Sequence, residues 1–202
     1  MAHTPSPDDD DSERALLRRM AAGDRAALAL LYRPYHRRLA RFLSRLTRRA
    51  DLIDEVVNDS FWIVWQKAGS FRGDSRVSTW IMGIAYRCAL KALRQHGEDD
   101  NLDADALEQL ESTADPHAEH ELRDWLGKAM RRLPTEQRVV VELAYGHGHS
   151  LEEIAAIMQS PLGTVKARLF HARVKLRNLL PDLAGSQTPT ATRGKHSTGG
   201  PS

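Results

Sequence analysis

Apolar residues in this chain return at steps of three and four, and nowhere do they alternate singly over a strand's length. Ala27, Leu28, Leu30, Leu31, Tyr35, Leu39, Phe42, Leu43 and Leu46 set the pattern. That spacing stacks side chains on one helical face. Asp24 stands where an N-cap belongs, and Pro34 predicts a kink or break. A second helix is expected from Leu52 to Lys67, with Ile53, Val56, Val57, Ser60, Phe61 and Val64 inward. Gly69 to Ser75 has loop composition. A third helix from Val77 to Arg94 carries Trp80, Ile81, Ile84, Ala85, Cys88 and Leu90 on its apolar stripe. Trp80 and Cys88 are expected in the core, whereas Phe71 fits either core or surface. The fold class is all-α.

Charge divides the chain further. The net charge of +2 over 202 residues conceals arginine-rich segments on either side of residues 97–121, which contain no Lys or Arg. Such a basic–acidic–basic layout suggests two separate bodies that meet nucleic acid. The expected organisation is a disordered acidic leader over residues 1–12, a helical domain over 13–95, a flexible acidic linker over 96–121, a helix-turn-helix domain over 122–182 and a disordered tail over 183–202. One cysteine excludes an internal disulfide and a cysteine-built metal site, and fits a reducing cytoplasm. The N-terminus lacks a signal peptide's basic start and apolar core. No apolar run nears the roughly 20 residues that cross a bilayer. A soluble, cytoplasmic protein is expected.

The second helical block holds the most specific local pattern. Helices are expected at Leu122–Leu133, Thr135–Tyr145, Ser150–Met158 and Pro161–Leu180. Ser150 with Glu153 forms a capping box. Ser160 as N-cap before Pro161 starts the next helix, and small Ala155 and Gly163 suit a close helix approach. Together these make a helix-turn-helix. Val165, Leu169, Ala172, Leu176 and Leu179 form the stripe to be buried. Lys166, Ala167, Phe170, His171 and Arg173 fall opposite, at the end of a recognition helix that enters a major groove. Lys166 can donate to guanine, Phe170 can pack on thymine methyls, and Arg168, Arg173, Lys175 and Arg177 suit phosphates. Thr164, at the helix start, joins the DNA-facing set.

These residues carry a resemblance. Leu133-Pro134, Glu136-Gln137-Arg138, Ser150, Glu153-Ile154-Ala155, Pro161, Gly163-Thr164-Val165-Lys166, Arg168-Leu169 and Ala172-Arg173 resemble the fourth conserved region of the small, two-domain extracytoplasmic-function bacterial sigma factors. The resemblance implies a domain that reads the upstream (minus-35) promoter element, docks on the flap of the polymerase β subunit, and turns Lys166, Ala167, Phe170 and His171 to bases. One departure is Gln159, where the family's turn usually carries Gly.

The first block agrees. Asp54, Glu55, Asn58 and Asp59 share one polar helical face. The stretch resembles the family's second conserved region, whose matching helix binds the clamp helices of the polymerase β′ subunit. Family members often have Asp and Gln where Glu55 and Asn58 stand. The stretch from Phe71 through Arg76 to Ser78-Thr79-Trp80 and Ile84-Ala85-Tyr86-Arg87 is also similar to the family's. There the loop captures a flipped base of the downstream (minus-10) element, and the next helix meets the opened strand. Phe71, Arg72, Asp74, Arg76, Tyr86, Arg87 and Lys91 are the matching candidates, and the residue types suit single-strand binding.

The function implied is promoter recognition in partnership with core RNA polymerase, with double- and single-stranded promoter DNA as ligands. No catalysis, cofactor, metal or membrane insertion is expected. A cognate anti-sigma factor is implied by the resemblance alone. One rival is a helix-turn-helix regulator that acts without polymerase. Another is a metal enzyme, prompted by nine histidines; yet His147 with His149, and His117 with His120, lack the helix-borne pairing with an acid that hydrolytic zinc sites use.

Overall fold

The computed structural model describes residues 7–96 and 126–185, and no strand occurs among them. The first helix, α1 (Pro7–Ala21), begins inside the segment expected to be a disordered leader. The correction has a physical cause. The aspartates lie at the positive end of the helix dipole, with Arg18 and Arg19 in the last turn. Leu17 and Met20 are buried, and the Tyr35 hydroxyl donates to Glu13 Oε2 at 2.8 Å.

In α2 (Arg25–Leu43) the side chain of Asp24 accepts from the backbone N–H groups of Ala26 and Ala27, as its cap position predicts. Pro34 does not end this helix, which runs through it. Proline costs a helix the bond to the carbonyl four residues back. That carbonyl belongs to Leu30, which lies on the exposed face of α2. Then come α3 (Ala50–Lys67), a 3-10 turn (Ala68–Ser70), a loop, and α4 (Val77–Gln95). Leu39 and Phe42, Val57 and Val64, and Ile81 and Ala85 supply the centre of this core.

The second group opens with α5, helical over residues 126–131. It continues with α6 (Thr135–Val141), which loosens into a π turn at Glu142–Gly146, then α7 (Leu151–Met158) and α8 (Leu162–Gly185). α8 passes the end expected at Leu180. The acidic linker from residue 97, the start of the helix expected from Leu122, and residues 186–202 lie outside the described residues.

The two groups share a contact, with α7 lying on α4. A Cβ on Gly83 would stand 3.6 Å from Ile157 Cα. Thr79 Oγ1 donates to Glu153 Oε1 at 2.9 Å, and Arg76 Nε lies 3.7 Å from the same oxygen. Arg138, buried, donates to the Arg45 carbonyl at 3.2 Å. The close approach expected of Gly163 is absent, because a Cβ there would meet nothing within 4 Å.

Candidate nucleic-acid interface

The helix-turn-helix is built by local chemistry. Ser150 N donates to Glu153 Oε2 at 2.8 Å and Glu153 N to Ser150 Oγ at 3.2 Å, which completes the capping box. Gln159 closes α7 at φ 50°, ψ 43°, in the left-handed region that glycine favours. Ser160 does not cap α8. Its hydroxyl donates to the Met158 carbonyl and accepts from Arg168 Nη1, while the Pro161 carbonyl receives the first helical bond, from Val165.

On α8, Val165, Leu169 and Ala172 are buried and Leu176 is half-buried. Lys166, Ala167, His171 and Arg173 are exposed, and Phe170 is 63% exposed. A phenyl ring so bare, on a basic helix face, is available to a groove. Thr164 is half-buried at the helix start. Arg168 departs from expectation: it is half-buried and bonds Ser160 and Glu136, so its guanidinium is engaged within the fold. Arg173 is exposed but rests on Tyr145, donating to its hydroxyl and stacking 5.5 Å over its ring. Tyr145, itself exposed, belongs to this surface although its sequence position falls in another helix. Only the packing of the π turn Glu142–Gly146 beside α8, through Arg173, reveals it.

The loop before α4 alternates in exposure. Phe71, Gly73 and Ser75 are half-buried, whereas Arg72, Asp74 and Arg76 are exposed. Phe71 lies between the guanidinium of Arg14, 5.5 Å from its ring, and Trp80, whose ring is 5.1 Å away. Trp80 and Cys88 are partly buried against the core, and burial raises the thiol pKa of Cys88. Arg87 and Lys91 are exposed on α4. Tyr86 is not available as expected, being only 5% exposed. Burial raises its phenol pKa, the nearby Glu136 pushes the same way and Arg168 opposes. Both residues come from the second helical group, which no local pattern could reveal.

On α3, Asp54, Glu55, Asn58 and Asp59 are all exposed, and the Tyr32 hydroxyl donates to Asn58 Oδ1 at 3.2 Å. One turn beyond Asn58, Trp62 is 62% exposed on the same face. The sequence signal for it was its spacing, four residues from Asn58 and outside the apolar stripe.

His147 and His149 are buried between the groups. His147 stacks edge-on against Phe42, with ring centres 5.8 Å apart, and lies 3.9 Å from Glu142. His149 lies 3.6 Å from Glu153 and 3.5 Å from Arg38. Burial, reinforced by the neighbouring arginines, lowers their pKa values to about 3 and about 4. Among the described residues no three His, Cys, Asp or Glu side chains gather as metal ligands. His117 and His120 lie outside those residues. No described helix is long and apolar enough to cross a membrane.

Comparison with known proteins agrees with this geometry. The family described as Sigma-70 region 2 matches residues 31–98, and Sigma-70, region 4 matches residues 123–176. The ECF RNA polymerase sigma-E factor of Salmonella typhimurium is 34% identical over 184 residues, covering 85% of this chain and 96% of the relative. The ECF RNA polymerase sigma factor SigM of Mycobacterium tuberculosis is 34% identical over 169 residues, covering 84% and 85%. Among solved structures, CnrH in complex with the cytosolic domain of CnrY shares the fold at a TM-score of 0.63 and 22% identity, covering 84% of this chain and 97% of that one. The sigma factor RpoE, in complex with the anti-sigma factor NepR from Bartonella quintana, matches at 0.53 and 28% identity, covering 75% and 93%. The chain belongs to the extracytoplasmic-function family of RNA polymerase sigma factors.

Proposed function

We propose that this sigma factor binds core RNA polymerase through α3 and reads promoter DNA at two places, as duplex through α8 and as a separated strand through the loop before α4. The observation that carries this is the two-faced α8, with Val165, Leu169 and Ala172 inside and Lys166, Ala167, Phe170 and His171 outside. Asp54, Glu55, Asn58 and Asp59, extended by Trp62, form the polymerase surface. The first functional unit runs to residue 95 and takes in α1, the second covers 122–182, and the acidic stretch between them tethers the two. Arg72, Asp74, Arg76, Arg87 and Lys91 face the opened strand, and Phe71 supports them. The duplex set is Thr164, Lys166, Ala167, Phe170, His171 and Arg173, with Arg168 holding the helix in place. The protein performs no chemistry of its own and works in the cytoplasm. The two solved relatives bound to CnrY and to the anti-sigma factor NepR support a cognate inhibitor for this chain as well.

Run-off transcription with core polymerase and the full chain tests the proposal. Promoter-specific transcripts should arise from a subset of templates. Phe170→Ala should relax preference at one base of the upstream element by about 1 kcal/mol, the worth of a lost apolar contact with a thymine methyl. Absence of any specific transcript across a broad template set, with specific duplex binding by the chain alone, would favour the polymerase-independent regulator instead.

A further inference from the structure

We propose that α1 splints the loop Phe71–Arg76, with Arg14 and Asp10 as positioning residues for base capture. The inference rests on the assignment of that loop to an unpaired base.

The N-terminus of α4 has no cap of its own, because the side chain of Arg76, at the cap position, makes no hydrogen bond to the first turn. Asp10 supplies one from α1, where its Oδ1 accepts the Val77 N–H at 2.7 Å. Its other oxygen accepts Arg14 Nε, also at 2.7 Å. So oriented, the Arg14 guanidinium donates to the Ser75 carbonyl at 3.1 Å and the Gly73 carbonyl at 3.4 Å, while lying over the Phe71 ring. One side chain thus holds three alternate loop residues from beneath. The residues between and after them, Arg72, Asp74 and Arg76, are the exposed ones.

Gly73 fits this arrangement for two independent reasons. Its φ is +82°, where a side chain is strained, and a Cβ would lie 2.5 Å from Arg14 Nη1. The splint is itself anchored by buried Leu17 and Met20 and by the Glu13–Tyr35 bond. A loop shaped before its ligand arrives loses less conformational freedom on binding, and it discriminates better because its contacts are already placed.

The test selects a pool of randomised single-stranded oligonucleotides on holoenzyme, formed from core polymerase and the full chain, and sequences what is retained. Wild type should enrich one base sharply at one or more positions. Arg14→Gln, Arg14→Met and Asp10→Asn should each weaken that enrichment by about tenfold while affinity for core polymerase stays unchanged. Asp10→Asn keeps an acceptor for Val77 and Arg14→Met keeps the packing, so at least one variant should fold like wild type by circular dichroism. A role confined to stability would lower the melting temperature and leave base preference intact in the folded protein. Unaltered enrichment in folded variants overturns the splint. No enrichment by wild type overturns the base-capture assignment on which it rests, a separate and visible failure.

Discussion

Gln159 holds a backbone conformation that L-residues avoid, and among the described residues it is the one non-glycine at positive φ. Its N–H still bonds the carbonyls of Ala155 and Ala156, so the turn closes as a glycine turn would. Gln159→Gly is expected to raise the unfolding free energy by about 0.5–1 kcal/mol in urea titrations, since glycine meets no steric penalty there. Trp62 presents a different case, a large ring left in solvent beside acids. Trp62→Ala should weaken core-polymerase binding by about tenfold in a titration while changing stability by less than about 0.5 kcal/mol. Residue roles were legible where partners lie within a turn, as for Asp24 and for Ser150 with Glu153. They were illegible for Arg168, whose partner Glu136 is thirty-two positions away, and for Tyr86, covered by the second helical group.

At the scale of elements, α1 shows how tertiary contact overrides composition. A run of aspartates looks unfolded until Leu17 and Met20 find a surface and Asp10 finds the open N-terminus of α4. Gly83 decides how closely α4 and α7 meet. An added methyl there would touch Ile157 Cα at 3.6 Å and the flexible end of Arg87 at 3.3 Å, which Gly83→Ala can accommodate. Gly83→Leu cannot be accommodated in the same way. It should part the two helices, seen as a larger radius of gyration in small-angle scattering with unchanged helix content by circular dichroism.

Across the whole molecule, the contact between the two groups is rich in polar and ionisable side chains. Glu142 and Phe42 face His147, with Arg38, Arg41 and Arg45 near it; Glu153, Arg38 and Arg76 face His149. Folded, both histidines resist protonation; unfolded, they take a proton near the ordinary 6.5. Falling pH therefore favours the state that binds the proton. Stability is full above about 6.5 and declines as pH falls toward 4, by up to about 1.4 kcal/mol per pH unit for each histidine. Glu153, held below its ordinary value, adds a loss only at lower pH. Glu13, raised by burial, acts in the opposite sense and offsets part of the decline. Replacing both histidines by Gln should flatten urea-derived stability across that window, and a slope that persists would assign it to other groups. If Tyr86 contacts DNA as the family resemblance implies, the second helical group, which brings Glu136 and Arg168 near it, has first to move off α4.

Periodicity, caps and turn chemistry act through neighbours a few residues apart, so the amino-acid order alone was enough to specify α2 to α4, the helix-turn-helix and the outward face of α8. The docking of α1, the engagement of Arg168 and Tyr145, the covering of Tyr86 and the burial of His147 and His149 depend on groups far apart in the chain. These were decided only when the core brought those surfaces together, because desolvation and long-range hydrogen bonds have no value until both partners are in place.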